Sequence, residues 1–211
     1  GFAGTVKNHE FIEGAADDLL THSGPGVPYL IDGRAPQPGQ IIVQRDLART
    51  LRAVAEGGRE VIYDAEHFFD GYKADPAYAT NTLLAAQEGG AEILVLCDTN
   101  GGTLPTEVRD IITAIQPKLQ TPLGIHTHND AGMAVANSII AVELGAIQVQ
   151  GTFNGYGERC GNANLCSVIP NIELKLEKKA IGAENLTKLM KVSRFLSEVA
   201  NVYPDHRQDY V

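Results

Sequence analysis

Residues 122–130 read PLGIHTHND. The run from Pro122 to His128 predicts a short strand, and its polar end decides what kind of strand. On a strand, His126 and His128 fall on one face, two positions apart, so both rings can converge on a single ion. Neutral imidazole is a ligand for divalent zinc, manganese or iron. The alternative is one histidine hydrogen-bonded in a core and the other exposed. Asn129 and Asp130 follow at once, where a side-chain oxygen caps the next helix. Asp130 has a second reading, as a group that orients a ligand histidine.

Outward from this stretch the chain alternates. EVIYDAEHF (60–68), EILVLCD (92–98), PLGIHTH (122–128) and AIQVQGTF (146–153) read as strands. Helices are predicted over Pro76–Glu88, stopped by Gly89-Gly90, over Pro105–Leu119, whose last turn Pro117 limits, and over Ala131–Leu144, stopped by Gly145. A short helix at Asn162–Ile169, a further strand at IELKL (172–176) and a last helix at Leu186–Val202 complete the reading. Strand and helix repeat in units of about 25–35 residues, the βα rhythm of a parallel sheet. No GxGxxG loop follows the first clear strand, which argues against a dinucleotide site. Residues 1–58 read differently: loop over most of the first 40, VPYLI (27–31) as a short strand, and a helix from Ile41 to Glu56.

Polar residues gather where each strand ends. Asp64, Glu66 and His67 close the first, and Asp98, Thr99 and Asn100 the second. His126, His128, Asn129 and Asp130 close the third, and the fourth runs into Asn154, Glu158, Arg159, Asn162 and Asn164. Ligands of parallel α/β folds sit at that edge of the sheet, and four successive polar strand ends point to a barrel mouth. The fold class expected is therefore α/β, of TIM (β/α)8-barrel type and incomplete. About the C-terminal half of the barrel lies in 59–211, after an atypical N-terminal segment, 1–58.

Each candidate has a plainer reading. Glu66 is an acid or base tuned by its surroundings, or a charge partner for a helix or for Arg159. The segment NGYGERCGNANL (154–165) is a site loop or a surface loop. Cys97 and Cys160 lack an adjacent base and read as packing residues, as do Tyr63, Phe68, Phe69 and Tyr72. The formal net charge of −9, with no basic stripe, gives nucleic-acid binding little support. Three cysteines without CxxC spacing suit a reducing, cytoplasmic compartment, and no apolar window of membrane length occurs.

HxHND followed by NGxGERxGNxxL resembles the metal-dependent TIM-barrel family of isopropylmalate, homocitrate and citramalate synthases and hydroxymethylglutaryl-CoA lyase. YDAEHFFDGYKA (63–74) and LCDTNGGTLP (96–105) resemble its citramalate-synthase-like branch, and the likeness covers about residues 59–211. The resemblance implies that His126, His128 and Asn162 bind a divalent metal (Mn, Mg or Zn). It implies catalytic roles for Glu66, Arg159 and Glu158, and substrate contacts at Thr99, with Asp98, Asn100 and His67 beside it. The implied reaction condenses acetyl-CoA with a 2-oxo acid, pyruvate giving citramalate, in isoleucine or leucine biosynthesis, and homo-oligomers are expected. A hydroxyacyl-CoA lyase of the same family and a non-catalytic metal-binding or assembly fragment are the alternatives.

The likeness has gaps. The family's DTTLRDG-like opening, whose aspartate is the remaining metal ligand, is not found. QRDLART (44–50) holds Arg45-Asp46 without the strand and glycine context. NVYPDHRQDYV (201–211) stops before the family's post-barrel segment. A fragment of a longer enzyme, a damaged or rearranged gene product, or a chain with segments left out is therefore expected.

Overall fold

The computed structural model describes residues 2–3, 6–23, 29–37, 40–42, 49 and 56–211. The chain divides into two units, Gly1–Arg59 and Glu60–Val211.

In the first unit, β1 (Phe2–Ala3) pairs antiparallel with β2 (Ile41–Ile42), and α1 (Val6–Ser23) lies between them in sequence. The loop-rich reading of the first 40 residues is thus corrected. Apolar positions in VKNHEFIEGAADDLLTHS are sparse and Gly14 is a poor helix former, so the period was hard to see. The helix expected at Ile41–Glu56 is overturned at its start, where Ile41–Ile42 is strand; residues 43–48 and 50–55 lie outside the described residues. In VPYLI, Val27 and Pro28 also lie outside them, and only Ile31 pairs, in an isolated bridge with Arg34.

The second unit is built on four parallel strands in chain order: β3 (Ile62–Ala65), β4 (Ile93–Asp98), β5 (Leu123–Thr127) and β6 (Gln148–Gln150). Helices α2 (Phe68–Ala74), α3 (Pro76–Glu88), α4 (Pro105–Ile115), α5 (Ala134–Glu143), α6 (Leu165–Leu174), α7 (Ala183–Leu186) and α8 (Leu189–Val199) follow. Alternation sends Tyr63, Ala65, Leu94, Leu96, Leu123, Ile125 and Val149 to one face, where they join Phe68, Phe69, Leu83, Val108 and Ile112 in one apolar cluster. Fully burying each large side chain there is worth roughly 1.5–3 kcal/mol.

The other face carries Asp64, Val95, Gly124 and Gln148 in one register row, and Cys97, His126 and Gln150 in the next. Gln150 Nε2 on β6 donates to Asp64 Oδ1 on β3 at 2.9 Å. In a flat sheet, strands one and four stand about 14 Å apart, three spacings of roughly 4.8 Å. The contact therefore requires the sheet to curl around this face. Gly124 helps: a Cβ there would stand 2.9 Å from Val95 Cγ2 and 3.2 Å from Gln148 Oε1. A curled parallel sheet with helices packed outside is consistent with an incomplete TIM-barrel-like domain.

Two expectations in this unit fail. The strand beginning at Glu60 stops at Ala65, because His67 takes a left-handed conformation (φ 55°) and starts α2. IELKL is not a strand: α6 runs through Pro170 to Leu174. Val168 and Ile172 pack with Ala134 and Val142, and that burial outweighs the hydrogen bond Pro170 cannot donate. Among the described residues no helix is long and apolar enough to cross a membrane.

Candidate active site

The C-terminal ends of β3, β4 and β5, with the loop after β6, bring most of the candidate residues together. His126 closes β5 and His128 lies just past it. Their Nε2 atoms stand 3.2 Å apart, and their ring centroids 5.1 Å. His128 is buried, and burial, followed by the His126 and Arg159 charges, holds its pKa below the ordinary histidine value. A neutral ring follows, with one nitrogen free to accept.

Asn162 is placed by backbone pairing. Asn129 N donates to Gly161 O at 2.9 Å and Ala163 N to Thr127 O at 2.9 Å, setting Asn162 opposite His128 in an antiparallel bridge. Asn162 Oδ1 is buried without a partner and lies against Gly157; His128 Nδ1 is also buried and unpartnered. The loop between β6 and α6 is anchored at its base by Asn154, whose Oδ1 accepts from Ser193 Oγ on α8 at 2.6 Å.

Glu66, Thr99 and Arg159 form a second group. Thr99 Oγ1 donates to Glu66 Oε2 at 2.8 Å and accepts from His67 N at 2.8 Å, and Arg159 donates to the Thr99 carbonyl at 2.7 Å. Arg159 also forms a two-pronged pair with Asp130, Nε to Oδ1 at 2.8 Å and a terminal nitrogen to Oδ2 at 3.0 Å. This pair holds the Asp130 carboxyl below its ordinary range and the Arg159 guanidinium above its own. Asp130 thus orients the arginine; the helix-capping role goes to Asn129, whose Oδ1 accepts from Ala134 N at 3.2 Å. Glu158 is exposed, 3.8 Å from Arg159.

Asp98 and Asn100 stand apart from this convergence. Asp98 is 1% exposed and both its oxygens serve Thr103, at 2.7 Å from Oγ1 and 3.3 Å from N, which leaves neither for a ligand arriving from solvent. Burial, only partly offset by those bonds, raises its pKa. Asn100 Nδ2 donates to Asp70 Oδ2 at 2.7 Å, and His67 Nδ1 lies 3.7 Å from the same carboxylate. The Cys97 thiol is pushed up to about 12 by burial and by the charges of Glu66 and Asp64, so it stays protonated at neutral pH. Among the described residues, no three His, Cys, Asp or Glu side chains cluster as a metal site.

Gln150 escaped the sequence reading, and so did the contact it makes with Asp64. Gln150 Oε1 lies 2.8 Å from His126 Nδ1, and Asp64 holds the other end of that amide. The available signal was parity: Gln150 and His126 are register partners on one face.

The HMGL-like family model matches residues 42–196. The chain belongs to the HMGL-like family. Among curated relatives, it is 59% identical to an (R)-citramalate synthase of Geobacter sulfurreducens over 152 residues, covering 72% of this chain and 29% of that protein. It is 54% identical to an (R)-citramalate synthase of Synechocystis over 173 residues, covering 78% and 32%. This HMGL-like chain therefore spans about a third of the length of the curated relatives it matches. Among solved structures, the HMG-CoA lyase of Bacillus subtilis superposes with a TM-score of 0.63 at 18% identity, covering 76% of this chain and 56% of that one. At that identity the likeness concerns the fold alone.

Proposed function

We propose that this chain carries part of the active site of a metal-dependent Claisen-type acyltransferase that condenses acetyl-CoA with a 2-oxo acid, pyruvate giving citramalate. The (R)-citramalate synthases at 54–59% identity support the substrate class. The observation that carries the chemistry is the approach of two histidine Nε2 atoms to 3.2 Å. Two nitrogens bound to one cation at about 2.1 Å stand roughly 3.0–3.4 Å apart, so the spacing fits a shared divalent ion. The unpartnered, buried Asn162 Oδ1 fits the same role.

His126, His128 and Asn162 would hold the ion (manganese, magnesium or zinc), which when bound supplies Lewis-acid polarisation of the 2-oxo acid. Glu66, steadied by Thr99 and exposed at the end of β3, holds or moves a proton at the substrate. Thr99 and His67 line the approach. Arg159 keeps the mouth loop against β4 through the Thr99 carbonyl, and leaves Glu158 at the rim. The free cysteines Cys97, Cys160 and Cys166 suit a reducing, cytoplasmic setting.

The test is release of free CoA thiol from acetyl-CoA by the purified chain, with manganese or magnesium and a panel of 2-oxo acids. Metal- and pyruvate-dependent release supports the synthase. Carbon–carbon cleavage of a hydroxyacyl-CoA into a shorter acyl-CoA and an oxo acid in its place would turn the reading to a lyase. Manganese binding with neither activity would reduce it to a metal-binding fragment.

A further inference from the structure

We infer that Gln150, clamped by Asp64, is a positioning residue that sets the tautomer of His126. A primary amide is directional: its oxygen only accepts and its nitrogen only donates. The Asp64 carboxylate accepts, so it takes the amide nitrogen, at 2.9 Å from Oδ1. The amide oxygen is then the end that faces His126 Nδ1, at 2.8 Å. A ring nitrogen at that distance from a carbonyl oxygen carries the proton. The neutral ring holds one proton, so Nε2 is left with its lone pair, and Nε2 is the atom 3.2 Å from His128.

The hydrogen bonds run from Asp64 on β3 through Gln150 on β6 to His126 on β5, yet neither Asp64 nor Gln150 reaches the paired Nε2 atoms. They act through His126 alone. Reversing the amide would put a donor against Nδ1, move the proton to Nε2 and leave the ring unable to offer that atom to a cation. The curl of the sheet makes the clamp available, since it brings the first and fourth strands into side-chain contact. The use of Nε2 rests on the metal-binding reading proposed above; the tautomer does not.

The test is long-range 1H–15N NMR of the histidine rings in the full 211-residue chain, with His126 assigned by the signals lost in His126→Gln. The expected wild-type form is Nδ1–H. Asp64→Asn, an isosteric change at an exposed site, frees the amide to turn, and a mixture of tautomers is expected. Gln150→Leu removes the acceptor, with the same expected result. The double variant Asp64→Asn/Gln150→Glu reverses the inner hydrogen bond but restores an acceptor at Nδ1, and is expected to recover the wild-type form. A space-filling role for Gln150 would not show that rescue. Manganese affinity, read by electron paramagnetic resonance, is expected to fall about tenfold or more in each single variant. An Nε2–H wild type, or a tautomer unmoved by either single change, overturns the inference. A tautomer that moves as expected, in protein whose manganese binding does not follow, supports the clamp and sinks the metal reading instead.

Discussion

Side chains on the outer face of the four-strand sheet, among them Leu94, Leu96, Leu123 and Ile125, belong to one apolar cluster. Their immediate neighbours in sequence face the inside of the curl and include Asp64, His126, Gln148 and Gln150. Strands covered on both sides commonly read as unbroken apolar runs. β4 does so up to its terminal Asp98, whereas β5 and β6 break the pattern on the inner face. Among the described residues, three of the four buried unpartnered polar atoms, on His128, Gln148 and Asn162, belong to inner-face residues or the loop paired with them. Outer residues hold the fold, and inner ones keep polar atoms available at an energetic cost.

The largest expected effect tests the outer side. Leu96 is fully buried, so Leu96→Ala is expected to cost about 2–5 kcal/mol through lost transfer energy and a residual cavity. His126→Gln, on the inner side, removes a hydrogen bond worth about 1 kcal/mol. Denaturant midpoints for the two variants check the comparison, and equal losses would break it.

Next comes the mouth loop. Gly161 has φ +86°, and a Cβ there would overlap the carbonyl oxygen of Gly155. Gly161→Ala is expected to cost about 1–3 kcal/mol of local strain. Because Asn162 follows directly, manganese affinity should fall more than the unfolding midpoint does. Calorimetric titration beside a melt distinguishes the two, and a midpoint loss without an affinity loss would count against a role for Asn162.

Gln148→Leu should act in the opposite direction. Gln148 Oε1 is buried without a partner beside Gly124, so replacing the amide removes an unsatisfied acceptor. A gain of about 1 kcal/mol is expected in the denaturant midpoint. A loss would mean the inner face uses this amide in a way the hydrogen bonds of the resting chain do not display.

The same division explains what was readable in the sequence. Pro76–Glu88 was legible to the residue because Pro76 opens it and a glycine pair closes it, and the structure adds a cap by Asp75. The four strands were legible as apolar runs, with boundaries off by a few residues. IELKL misled because a five-residue alternation fits both a strand and the end of a helix. At the mouth, His126, His128 and Asn162 were legible as residue types in a pattern. The Arg159–Asp130 pair and the Gln150 clamp were not, since both depend on how far the sheet curls and how the loop folds back.

The smallest expected effect concerns that pair, because water screens it: Arg159 and Asp130 side chains are 43% and 26% exposed. Its sign is nonetheless definite. The Asp130 carboxyl is held below its ordinary value in the folded chain, first by its hydrogen bond to Arg159. The stabilisation it provides is complete above the unfolded aspartate value, about 3.9, and is lost as pH falls through the lower folded value. Between neutral pH and about 4 the loop should therefore keep its Thr99 tether, with no change in the Arg159 side-chain N–H signals by NMR. Below that range those signals should broaden and exchange, while amides of the outer-face strands stay protected until global unfolding. Asp130→Asn should shift loss of the tether to neutral pH and leave the outer face unmoved. If both regions open together, loop and sheet form one cooperative unit, and the separation between the two faces would hold only for chemistry, not for stability.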